Sequence, residues 1–137
     1  MAGDERRVRV FLAKTSVDGH WRGVMTVAAA LRDGGIEVIY GGMLTPEQIV
    51  AGAIQEDADV IGLNIGGRYG TVRDVLRLLG EAGRDDIPVV AGGTVPREDI
   101  AVLKAMGVSE VFPPGSDLDE IVRYVKEEAR RRRQAAA

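Results

Sequence analysis

Five short runs of β-branched and aliphatic residues, each followed by a stretch with helical periodicity, constrain this chain more than any other feature. The runs are residues 8–13 ("VRVFLA"), 37–40 ("EVIY"), 60–64 ("VIGLN"), 87–91 ("IPVVA") and 110–112 ("EVF"). Val24, Val27, Ala28 and Leu31 follow the i, i+3, i+4, i+7 spacing of one helix face. The same spacing recurs at Val72, Val75, Leu76 and Leu79, and at Leu118, Ile121, Val122 and Val125. Shorter helices fit residues 46–57 and 97–106. Thr45-Pro46-Glu47 reads as an N-cap, a proline at the first helical position and an acid in the first turn. "RDGG" at 32–35 and "EAG" at 81–83 read as helix stops.

Strands that alternate with helices pair in parallel through right-handed crossovers, with helices on both faces of one sheet. Five such units are too few for an eight-stranded barrel and fit a flavodoxin-like, doubly wound α/β fold with strand order 2-1-3-4-5. One domain over 1–137 is expected, with 1–6 and 134–137 as frayed tails. Ligands of such sheets bind beyond the carboxyl ends of the strands, where the strand order switches. The loops to inspect are therefore "KTSVDGHWRG", "NIGGRYG", "GGTVP" and "PPGS".

Composition removes several function classes. At 4% aromatic residues the chain lacks the stacking platforms that single-stranded nucleic acid needs. It has no cysteine, which excludes disulfides, thiolate nucleophiles and thiolate metal sites and fits a cytoplasmic protein. "MAGDERR" lacks the apolar core of a secretory signal, and no apolar run reaches the ~20 residues of a membrane span. The net charge of −3 hides a basic stretch, "KEEARRRR" at 126–133, which reads as the solvated end of a last helix with cations at its C-terminal dipole.

The loop after the first strand holds the chain's one histidine, His20, with Asp18 one glycine before it. A carboxylate in that position can bond one ring nitrogen, fix the tautomer and leave the other lone pair free. An imidazole so held serves as a metal ligand or a general base; a solvated loop histidine is the plain alternative. Lys14 is placed to pair with Asp18. A triad lacks a supported nucleophile, since Ser16, Thr71, Thr94 and Ser116 have no evident partners. One histidine with scattered carboxylates makes no closed metal site. A single histidine ligand suits a metal that arrives with its other ligands attached, as in a tetrapyrrole. Gly66, Gly67 and Gly70, then Gly92 and Gly93, then Gly115, put glycine in three successive carboxyl-end loops, which suggests a deep slot at that edge of the sheet. No GxGxxG follows the first strand and no GxxxxGK[ST] occurs.

"DGHWRG" is similar to the Asp-x-His-x-x-Gly signature of cobalamin-binding domains, and Gly92-Gly93 resembles their later Gly-Gly element. The wider frame, "AKTSVDGHWRG", "ALRDGGIEVIYGG" and "TPEQIVAGAIQEDADVIGL", resembles the B12 domain of the acyl-CoA mutases over about residues 7–126. The resemblance implies adenosylcobalamin bound base-off, with His20 as the lower axial ligand to cobalt in place of dimethylbenzimidazole. It implies Asp18 on the second ring nitrogen, Lys14 behind it, and Gly19, Trp21 and Arg22 within the cofactor-binding motif. The displaced nucleotide tail would enter a slot lined by Asn64, Gly66 and Gly67, by Gly92, Gly93 and Thr94, and by Pro114, Gly115 and Ser116. Gly23 would let the following helix start close to that tail. Asn64-Ile65-Gly66 departs from the family's Ser-x-Leu after the third strand, and Trp21 replaces a residue that is commonly acidic.

In that family the acyl-CoA site lies in a (β/α)₈ barrel, too large for 137 residues. The resemblance thus implies a small subunit, inactive alone, that pairs with a large acyl-CoA-binding subunit in a heterotetramer. It implies no substrate acid or base in this chain, no nucleic-acid partner and no membrane. Among the alternatives, the small subunit of glutamate mutase shares a "PPG" element, but the middle of the chain sides with the acyl-CoA group. A corrinoid methyltransferase module carries a helical cap for which a first strand at Val8 leaves no room. A response-regulator receiver needs an aspartate where Asn64 stands. A scaffold that has lost cobalamin binding is the remaining alternative.

Overall fold

A computed structural model describes residues 6–15 and 21–136, without the side chains of Trp21, Arg22 and Ala136. Strands β1 (Arg9–Lys14), β2 (Glu37–Met43), β3 (Val60–Ile65), β4 (Val89–Gly93) and β5 (Glu110–Phe112) alternate with helices α1 (Trp21–Asp33), α2 (Pro46–Gln55), α3 (Gly70–Glu81), α4 (Ile100–Met106) and α5 (Leu118–Ala136). A 3₁₀ turn, Arg97–Asp99, leads into α4. All strands pair in parallel in the order β2-β1-β3-β4-β5. The expected fold class and strand order are observed.

The period of two along each strand divides the interior into two layers. Phe11, Ala13, Ile61, Leu63, Ile65, Val89 and Ala91 face α2, α3 and α4. Val10, Leu12, Val60 and Val90 face α1 and α5. On α3, Val72, Val75 and Leu79 are buried at the spacing read from the sequence, and each such side chain contributes about 1.5–3 kcal/mol. β3, at the centre of the sheet, is buried at all six positions.

Local chemistry sets the element ends. Thr45 caps α2: its hydroxyl accepts from the Gln48 amide at 3.2 Å, while the Gln48 side chain accepts from the Thr45 amide at 3.0 Å. α3 stops where Gly83 takes φ +70° and the Arg84 amide turns back to the Leu79 carbonyl at 2.8 Å. β2 outruns its expected end at Tyr40, because Gly41-Gly42 forms a bulge rather than a turn. The register slips there, Leu12 facing Tyr40 and Ala13 facing Gly42, whose φ is +77°. The glycine inside α2 also has a packing reason, since a Cβ at Gly52 would lie 2.5 Å from Cζ of Phe11.

The basic end of α5 is only partly the solvated face expected of it. The side chains of Arg132 and Arg133 are 11% and 12% exposed, because both bind the carboxylate of Asp59 at the opposite end of the sheet from the glycine-rich loops. The helix runs to Ala136.

Candidate functional site

Between α1, α5 and the sheet lies a cleft of about 890 Å³, open toward the carboxyl ends of the strands. Its floor is made by the alternate residues of three strands: Val10 and Leu12 on β1, Gly62 and Asn64 on β3, Val90 and Gly92 on β4. Val24, Val27 and Leu31 of α1 form one wall, Ile121 and Val125 of α5 the other. Phe112 closes the β5 side, its ring set edge-on to Tyr124 with centroids 5.7 Å apart.

Two glycines let the floor pack closely on itself. A Cβ at Gly62 would come within 2.8 Å of Cδ1 of Leu12, and one at Gly92 within 3.3 Å of the Phe112 carbonyl. Glycine inside a buried strand gives up packing and marks close approach by another group. Among the described lining residues none carries an ionisable side chain, so the cleft is built for a neutral, largely apolar group rather than for proton transfer.

Asn64 is the buried polar residue of this lining, 9% exposed. Its backbone carbonyl accepts from both the amide and the hydroxyl of Thr15, at 3.0 and 3.2 Å, which ties the loop after β1 to the end of β3. At the rim, the Ser116 hydroxyl donates to the Pro113 carbonyl at 2.6 Å and closes the turn in which Gly115 takes φ +87°. The loops after β3 and β4 are tied together by Tyr69, whose hydroxyl donates to Oδ2 of Asp99 at 2.5 Å. Burial, then that bond and the charges of Asp99 and Glu98, push the Tyr69 phenol up to about 12.

Of the residues expected at the site, the structure gathers Gly23, Asn64, Gly92, Gly93, Thr94, Pro114, Gly115 and Ser116 on this cleft. It does not bring Gly66 or Gly67 into the lining: Gly66 is buried beyond the end of β3 and Gly67 is exposed. Asn64 is a strand residue as its run predicts, and β3 continues to Ile65, expected within the loop. Lys14 ends β1, level with Asn64. Asp18, Gly19 and His20 lie outside the described residues, and Trp21 and Arg22 are described only as the start of α1. Among the described residues no group of three or more His, Asp or Glu side chains is placed to hold a metal ion. Sequence reading missed Gly62 and the apolar walls. The signal for Gly62 was present, a glycine in a β-branched run at the same parity as Asn64.

The family model "B12 binding domain" matches residues 8–123. The chain is 46% identical over 125 residues to the 2-hydroxyisobutanoyl-CoA mutase small subunit of Aquincola tertiaricarbonis, covering 86% of this chain and 92% of that subunit. It is 42% identical to the pivalyl-CoA mutase small subunit of Xanthobacter autotrophicus, covering 88% and 82%. Longer mutases also match, and of their length the chain spans 16–18%. Among solved structures, a cobalamin-binding protein from Desulfitobacterium hafniense DCB-2 superposes with a TM-score of 0.76 at 21% identity, over 90% of this chain and 60% of that one, a likeness of fold. The chain belongs to the B12-binding domain family and groups with the small subunits of the acyl-CoA mutases.

Proposed function

We propose that this chain holds adenosylcobalamin base-off, with His20 as the lower axial ligand to cobalt, and presents it to a separate large subunit that binds an acyl-CoA. The observation that carries this reading is the glycine-floored cleft between α1 and α5, whose shape and neutral lining suit the flat, apolar nucleotide base displaced from cobalt. The residues present fit that group: Gly62 and Gly92 keep side chains of their own out of the floor, and Asn64 offers an amide at its upper end. When bound, the cofactor supplies the radical chemistry that starts rearrangement of a CoA thioester.

The chain's own residues bind and orient. Asp18 fixes the tautomer of His20 and leaves one nitrogen for the metal, with Lys14 supporting the carboxylate. Val24, Val27, Ile121 and Val125 exclude water from the base, while Gly93, Thr94, Gly115 and Ser116 edge the mouth where the tail enters. Gly23, exposed at the start of α1 and without a Cβ, leaves that mouth open. No substrate acid or base is assigned to this chain. The partner is a large barrel subunit, in a heterotetramer, and the compartment is the cytoplasm.

The test is a visible absorption titration of the chain with adenosylcobalamin and hydroxocobalamin, followed by EPR of the cob(II)alamin form. Superhyperfine splitting from a histidine nitrogen, lost in His20→Ala while the fold persists, is the expected result. Retention of that signature in His20→Ala, or failure of the wild-type chain to bind either alone or with its large subunit, overturns the reading.

A further inference from the structure

We propose that Asn64 makes the cleft selective for a cobamide whose nucleotide base carries a hydrogen-bond donor beside an acceptor, an aminopurine, over a base of the same bicyclic size that has only an acceptor. The inference rests on the cobamide-binding reading above and specifies which base the slot takes.

Asn64 is nine-tenths buried, and among the described residues its side-chain amide has no hydrogen-bond partner. It stands on β3 level with Gly92 of β4, and a Cβ on the next residue, Gly93, would sit 3.4 Å from the Asn64 amide nitrogen. The two glycines therefore put no side chain between this amide and the cleft. The other polar residues of the lining are placed differently. Ser116 spends its hydroxyl on Pro113, and Thr26 and Thr94 are exposed at the edges.

A carboxamide presents a carbonyl acceptor and an NH₂ donor side by side. A benzimidazole attached through one ring nitrogen offers a single acceptor, the other ring nitrogen. It can take the NH₂ of Asn64 but leaves the carbonyl unpaired inside an apolar cleft. Adenine keeps its 6-amino donor beside the N1 acceptor, so one edge of the base offers a partner to each half of the amide. One buried polar atom left unpaired corresponds to roughly tenfold in affinity.

The experiment is calorimetric titration of the full chain with two adenosyl-cobamides that differ in the nucleotide base alone, adenine or unsubstituted benzimidazole, so that methyl burial does not enter. The expected result is about tenfold tighter binding of the adenine form by the wild-type chain. Asn64→Leu, which removes donor and acceptor together, should bring the ratio to about one, and Asn64→Ser should lower it, each variant checked by its thermal melt. A wild-type ratio of one or less, or a tenfold ratio that survives in both variants, overturns the proposal and leaves cobamide binding standing. Failure of both cobamides to bind the wild-type chain removes the underlying reading, and this proposal with it.

Discussion

Arg133 grips Asp59 with two bonds, from Nε at 3.0 Å and from Nη2 at 2.7 Å, and so fastens the last helix to the start of β3. The carboxylate is fully buried and also accepts from the Arg9 amide at 2.9 Å and from Arg132 at 3.1 Å. The same guanidinium donates to the carbonyls of Arg6 and Arg7, so both chain ends meet at one buried charge. Removing one partner of such a cluster strands the others, at about 3–5 kcal/mol. Asp59→Ala should lower unfolding free energy by about that amount in urea, with little effect on the distant cleft.

The same carboxylate predicts an acid limit to stability. Burial alone works against its ionisation, but the Arg133 hydrogen bond, the Arg9 amide and the charges of Arg133 and Arg6 outweigh it, so its pKa lies below the ordinary 3.8. Asp86, bonded by Arg84 and Arg132, is held low in the same way against its own burial. A carboxylate with a depressed folded pKa stabilises the protein above its unfolded pKa and loses that contribution as pH falls through the folded value. The melting temperature should therefore be level near neutrality and drop below about pH 4, with a shallower drop in Asp59→Asn.

Tyr69 predicts a change at the other end of the scale. Its phenol, raised to about 12 by burial and by the bond to Asp99, favours the folded state below pH 10 and loses that contribution as pH rises through the folded value. Tyr69→Phe removes the tie between the loops after β3 and β4. It should cost about 1 kcal/mol at neutral pH and abolish one late-ionising phenol in a spectrophotometric titration. If the phenol lost in Tyr69→Phe is instead one that ionises near the ordinary 10, the bond to Asp99 does not persist in solution.

Strand parity and helix spacing made the sheet order and the two helical layers legible, since burial follows the period of the backbone. Where the reading stopped short, glycine was the reason. The second strand is expected to end at Tyr40, and a bulge at Gly41-Gly42 carries β2 on to Met43. Gly66 and Gly67 are expected in the slot, yet the glycine that lines the cleft from β3 is Gly62, inside the strand. Sequence marks where a Cβ is missing, not which neighbour fills or leaves the space. Arg132 and Arg133 looked like solvated charge for a related cause: their partner, Asp59, is more than seventy positions away.

Gly62 tests the cleft without touching any hydrogen bond. A side chain there meets Cδ1 of Leu12 at 2.8 Å, the end of a flexible group that borders the cleft. Gly62→Val should thus keep the free chain within about 1–3 kcal/mol of wild type while reducing cobalamin affinity at least about tenfold. Unchanged affinity, measured by absorption titration, would place the nucleotide base elsewhere.

Gly93 and Gly115 both edge the cleft with positive φ, +113° and +87°, yet they differ in what surrounds them. A Cβ at Gly93 falls close against the Ile65 carbonyl and 3.2 Å from the Ile65 amide, backbone atoms of the central strand that cannot swing aside. A Cβ at Gly115 meets nothing within 4 Å. Gly115→Ala therefore carries backbone strain alone, about 1 kcal/mol, and should leave the melt only slightly lowered. Gly93→Ala adds a collision that only separation of β3 from β4 relieves, and should cost more than about 3 kcal/mol. Because that separation also shifts Asn64, cobalamin affinity should fall in Gly93→Ala even at temperatures where the variant is folded. Equal melts for the two variants would show that the β3–β4 end yields more easily than its geometry allows.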